Sequence, residues 1–168
     1  PDGKGSKKGY IWVVTSIHTG LVYYFYHDGS RGQDVILNYI GDYGGTFQSD
    51  GFYPYRKMAA QLTRLSCLQH VKRKFLDCGD DDEEAQAIVR LINELYQMEH
   101  QHKIGTDGWT VERNLRWRRK YAPGILKRIR TRLDRLAADP EMLPKSDRYN
   151  AVHYMLNEWD AIGNIFNS

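Results

Sequence analysis

Hydrophobic and polar positions divide the chain into two unlike parts. "YIWVVTSI" (10–17) and "LVYYFYH" (21–27) are dense in β-branched and aromatic residues, with a short glycine-containing "HTG" between them. The pair predicts a β-hairpin. Nearly every position in both runs is apolar, so both faces are expected to be covered, as in a sheet with helices packed against it. "GQDVILNYIGDY" (32–43) then puts Val35, Ile36 and Tyr39 at helical spacing, and "GGTFQSD" (44–50) returns to a brief strand. "YPYRKMAAQL" suits a helix, and "LTRLSC" (62–67) one more strand.

From residue 69 onward the period is helical throughout. "HVKRKFLD" comes first, followed by "DDEEAQAIVRLINELYQMEHQHK", where Ile88, Leu91, Ile92 and Leu95 form an i, i+3, i+4, i+7 stripe. The acids gather at its N-terminal end, where the helix dipole favours them. "GTDGW" punctuates, with Asp107 or Thr110 as the N-cap of the next helix. "TVERNLRWRRKY" is expected to break at Pro123, before "GILKRIRTRLDRLAAD" resumes with Leu126, Ile129, Leu133 and Leu136 on one face. After Pro140 and Pro144, "SDRYNAVHYMLNEWDAIGNIF" reads as one last helix with Val152, Met155, Leu156, Trp159 and Ile162 facing inward.

The expected class is therefore α+β or α/β: hairpin, helix, strand, helix, then a large all-helical half. At 168 residues, 41% hydrophobic and 27% charged, the chain suits one soluble globular unit. No apolar run approaches the ~18 residues of a membrane span, and no signal-peptide core is present near Pro1. Two cysteines, Cys67 and Cys78, make no disulfide framework and suit a reducing cytoplasm. A start at Pro1 without Met and an abrupt end at "NIFNS" read as a piece of a longer protein.

Charge is segregated along the chain. Residues 77–99 hold eight acids against one base, Arg90, whereas residues 109–138 hold ten bases against two acids, Glu112 and Asp134. A basic stretch so dense suits a polyanionic partner, because clustered Lys and Arg release counterions condensed on phosphates. The same pattern also suits an acidic helix lying against a basic one.

Three segments could carry chemistry. Asp50 lies where a strand ends and a glycine follows, so it is either an Asp-Gly turn former or a carboxylate aimed into a cleft to hold a hard cation. Cys67 and His70 have a Cys-x-x-His spacing, but a closed zinc site needs four ligands, and only Cys78, His100 and His102 remain. Because His100 and His102 point to opposite sides of a helix, zinc is not expected there. Lys72, Arg73 and Lys74 could hold phosphates or form a solvated face. Nucleophile elbows, P-loops and dinucleotide fingerprints are all missing from the sequence. His18, His27 and His153 lack identifiable partners and read as packing or surface residues.

The order "KKGYIWV", "FQSDGFYPY", "CLQHVKRKF", "LPKSDRYNAVHYMLNEWDAI" resembles the DDE transposase domain of the IS66 insertion-sequence family, over nearly the whole chain from about residue 8. The resemblance implies a partial ribonuclease H-like fold over residues 1–78, with a helical insertion and return helix over 79–168, in one compact unit. It implies three carboxylates (Asp, Asp, Glu) that hold two Mg²⁺ or Mn²⁺ ions for in-line attack on a phosphodiester. Asp50 matches the second Asp, as catalytic residue and metal ligand. The first Asp would precede Pro1, and Asp2 does not match it. The Glu would follow Ser168, and Glu158 does not match its motif. The chain alone is then expected to be inactive, to bind no ion tightly and to lack the first strand of its sheet, leaving an exposed edge. Cys67 and His70 would support the motif locally.

DNA is the implied partner, through Lys72, Arg73 and Lys74 and through Arg113, Arg116, Arg119, Lys120, Lys127, Arg128 and Arg132 of the insertion. The parent protein is expected to be a bacterial, cytoplasmic homo-oligomer without membrane contact. The alternative is a non-enzymatic DNA-binding or assembly module that uses the basic helices 109–138.

Overall fold

The computed structural model describes residues 8–167, so Asp2 lies outside the described residues. The hairpin forms as β1 (Gly9–Thr15) and β2 (Val22–Asp28), antiparallel, with Trp12 opposite Phe25. The expectation that both faces are covered is corrected. Trp12 and Phe25 are buried and stacked, whereas Ile11, Val13, Tyr24 and Tyr26 on the other face are exposed. Successive strand residues point to opposite sides, so a run that is apolar throughout presents an uncovered face wherever nothing packs there.

α1 (Gln33–Ile40) covers the inner face with Val35 and Ile36, and the exposed Tyr39 still stacks on Phe25. β3 (Thr46–Ser49) and β4 (Thr63–Ser66) run parallel, in a second two-stranded sheet. Their crossover is α2 (Tyr53–Arg56) and a 3₁₀ turn over Lys57–Ala60, shorter than the single helix the sequence suggests. Trp12, Phe25, Val35, Ile36, Met58 and Leu62 form the apolar cluster of this part.

The rest is helical: α3 (Leu68–Leu76), α4 (Glu83–Gln101), α5 (Val111–Ala137), α6 (Asp147–Asn157) and α7 (Trp159–Ile165). Their buried faces, including Phe75, Ile88, Ile92, Leu95, Ile129, Leu133, Met155 and Ile162, make a second, larger cluster. Thr110 caps α5, accepting from the Arg113 amide at 3.2 Å. Two boundaries differ from expectation. α5 runs unbroken through Pro123, and the last helix divides at Glu158. The described residues thus form an α+β molecule of seven α-helices and two small sheets.

Candidate functional site

Because β3 and β4 are parallel, their C-terminal ends lie side by side, and ligands of open α/β sheets bind in the crevice outside such ends. Asp50 directly follows β3 and Cys67 directly follows β4, with the Cys67 amide donating to the Ser49 carbonyl at 2.9 Å. Asp50 is half-buried. Its Oδ1 accepts from the Phe52 amide at 3.0 Å, so one oxygen does form the local turn. Oδ2 takes no hydrogen bond among the described residues, which leaves one carboxylate oxygen for an outside partner.

The backbone beneath this carboxylate is held from several sides. The Gly51 amide donates to the Tyr154 hydroxyl at 2.8 Å, and the Ser49 hydroxyl donates to the Asp50 carbonyl at 2.9 Å. Arg56 Nη2 donates to the Gly51 carbonyl at 3.3 Å, and Arg64 Nη1 makes a 3.5 Å contact with the Asp50 carbonyl. Both guanidinium groups end on Glu158, from Arg56 Nε to Oε1 at 3.0 Å and from Arg64 Nη1 to Oε2 at 2.7 Å. Glu158 is fully buried, and the Arg64 side chain is only 5% exposed.

Two phenols adjoin the loop. Burial raises Tyr55 above its ordinary value of 10.0, the Asp50 carboxylate adds to the rise, and Arg31 opposes it. Burial also raises Tyr154, against the Gly51 hydrogen bond and with Glu158, Asp50 and Cys67 adding to it. Tyr154 therefore keeps its proton at neutral pH while its oxygen accepts from Gly51.

A divalent ion of the Mg²⁺ class fits this donor set in part. Asp50 supplies the hard oxygen that such ions take. Glu158 does not, since both its oxygens are engaged by arginines. Among the described residues no three His, Cys, Asp or Glu side chains converge on a metal position. Cys67 is half-buried and His70 exposed, joined through the backbone of the first turn of α3 by the His70 amide and the Cys67 carbonyl at 3.0 Å. His102 is engaged elsewhere, stacked on Trp117 with Nδ1 at 2.8 Å from the Met98 carbonyl.

The predicted DNA contacts fall into two kinds. Arg128 pairs with Glu94 at 2.7 Å and Arg132 with Glu84 at 3.2 Å, which is the acidic-helix-against-basic-helix arrangement. Arg118 pairs with Glu99 at 2.6 Å in the same way. Lys120 and Lys127 are exposed, and no acidic side chain pairs with them among the described residues. Arg113 lies over Trp109, Arg116 is exposed near Glu112, and Arg119 donates to the Asn167 carbonyl. Lys72, Arg73 and Lys74 lie on α3, half-buried for the first and exposed for the others. Between α5 and α7 opens a cleft of about 490 Å³ whose lining includes Arg119, Lys127, Arg130 and Trp159, and no acid.

Arg56, Arg64, Tyr154 and Glu158 were not expected at the site from sequence. Two of them did leave a signal. Arg64 is a charge inside a strand, and Glu158 lies three residues after Met155 and four before Ile162, on the inward face of its helix.

A family model described as "Transposase IS66 family" matches residues 1–168. No curated protein and no solved structure matches the chain.

Proposed function

The chain belongs to the IS66 transposase family, and on that premise we propose that it is part of the catalytic core of a DNA transposase that cleaves and joins strands at transposon ends. Asp50 is the second carboxylate of a triad whose other Asp and whose Glu come from outside these 168 residues. The two ions they share, Mg²⁺ or Mn²⁺, would supply activation of the attacking hydroxyl or water and charge stabilisation at the leaving oxygen of the phosphodiester. One observation carries the reading: a half-buried carboxylate at the carboxyl end of a parallel strand, with one oxygen fixed by the Phe52 amide and the other unengaged among the described residues.

In this reading residues 1–78 are the partial ribonuclease H-like core and 79–168 the insertion and return helix. Among the described residues β1 and β3 each pair on one side only, which supports a sheet that takes another strand from elsewhere. The 168 residues alone would then neither cut DNA nor hold an ion tightly. DNA would lie against Lys120 and Lys127 of α5 through its phosphates.

The test is Mg²⁺-dependent nicking of the element's terminal repeats by the full-length protein, wild type against Asp50→Asn. Wild type is expected to nick, and the variant to bind the same DNA without cutting it. Equal cutting by both removes Asp50 from the metal site. Binding without cutting by either favours the other reading, a DNA-binding module working through the exposed cations of α5.

A further inference from the structure

We infer that Arg56, Arg64, Tyr154 and Glu158 act as a positioning clamp that fixes where Asp50 presents its unengaged oxygen. The inference rests on the proposed role of Asp50 as a metal ligand. Arg56, Arg64 and Tyr154, from three separated parts of the chain, converge on the two successive peptide units that follow the Asp50 α-carbon, and Glu158 ties the two arginines together. Arg64 and Arg56 reach the carbonyls of Asp50 and Gly51, Tyr154 takes the Gly51 amide, and Glu158 anchors both guanidinium groups.

Stability alone does not account for the arrangement. A buried ion pair is a weak source of folding energy, because desolvation offsets its attraction, and well-packed apolar side chains of similar volume often serve as well or better. Directed hydrogen bonds supply orientation, which apolar packing does not. Metal sites depend on such outer contacts, and losing one typically costs tenfold to a hundredfold in metal affinity or activity. The clamp also avoids the carboxylate itself. It grips main-chain atoms and leaves Oδ2 untouched, as a support for a ligand would and a competitor for it would not. Glu158, which fails to match the family's catalytic Glu, has this task instead. It touches no reacting group and is a positioning residue.

The test uses the full-length transposase carrying Tyr154→Phe, which keeps the ring and removes one hydroxyl, and Glu158→Gln as a second variant. Two quantities are read: hydrogen exchange of the 49–53 segment without metal, and the Mg²⁺ concentration that gives half-maximal nicking. Tyr154→Phe is expected to exchange about tenfold faster at Gly51, as loss of a satisfied hydrogen bond implies. Its half-saturating Mg²⁺ should rise by about tenfold, with terminal-repeat binding unchanged. Faster exchange with an unchanged Mg²⁺ requirement overturns the clamp and leaves these residues a structural role. Unchanged exchange overturns it as well. If Glu158→Gln fails to fold, Tyr154→Phe decides alone. Failure of the underlying reading is told apart by Asp50→Asn, which would then nick like wild type.

Discussion

Gly51 has no room for a side chain. A Cβ built there would stand 2.7 Å from the ring and hydroxyl of Tyr154, the same residue that accepts the Gly51 hydrogen bond. Gly51→Ala must push that ring aside and break the bond, which is expected to cost about 1–3 kcal/mol, as overpacking does. Urea denaturation should show a lower midpoint with an unchanged slope. In the Tyr154→Phe background the same substitution should cost less, because the bond it breaks is already gone. Half of this arrangement was legible beforehand. The Asp-Gly dipeptide announced a turn, and the turn is there, through Oδ1 of Asp50. The other half was hidden by distance along the chain. Glu158 lies 94 residues from Arg64 and 102 from Arg56, beyond the reach of any local pattern.

At the scale of elements, α4, α5 and α6 are tied by ions as well as by apolar faces. Asp82 caps α4 by accepting from the Ala85 amide at 3.0 Å and also binds Arg148 of α6 at 2.7 Å. Burial pushes its carboxyl upward, but the Arg148 and Ala85 hydrogen bonds outweigh that and hold it below its ordinary 3.8. Glu84 is held below 4.5 chiefly by its hydrogen bond from Arg135, against burial and with help from Arg132. Depressed carboxyl values mean that this stabilisation is complete above the unfolded values and is lost as pH falls through the folded ones. Stability should therefore decline below about pH 4. Arg148→Met should remove the Asp82 share, so its urea midpoints fall less steeply with acid, though solvent screening keeps each pair to about 1 kcal/mol or less.

The helices and the hairpin were legible because their periods, 3.6 and 2, are local. Their interruptions were not. Pro123 is exposed, so its ring meets solvent and costs one backbone bond, while Ala122 and Ile129 stay buried and hold α5 together. The split between α6 and α7 falls at Glu158, whose backbone (φ −97°, ψ 2°) leaves the helical range where its side chain turns to Arg56 and Arg64.

Across the whole molecule, the two charge blocks seen in the sequence cancel each other only in part. Glu84, Glu94 and Glu99 of α4 pair with Arg118, Arg128, Arg132 and Arg135 of α5, Glu84 being shared by the last two. Lys120 and Lys127 remain exposed on the same helix, and Lys127 borders the cleft that Trp159 helps to line. Counting bases along α5 thus overstates the charge offered to a polyanion. Each phosphate neutralised steepens the fall of log K with log salt by about 0.9. Lys120→Ala and Lys127→Ala should therefore weaken binding to any duplex and lower the slope by about 1 each. Arg128→Ala and Arg132→Ala should leave the slope nearly as it was, since each already faces a glutamate, and should act on stability instead. Affinity measured over a series of salt concentrations separates the two classes. If the arginine pair carries the slope and the lysines do not, DNA competes with α4 for α5, and the two helices must part when it binds.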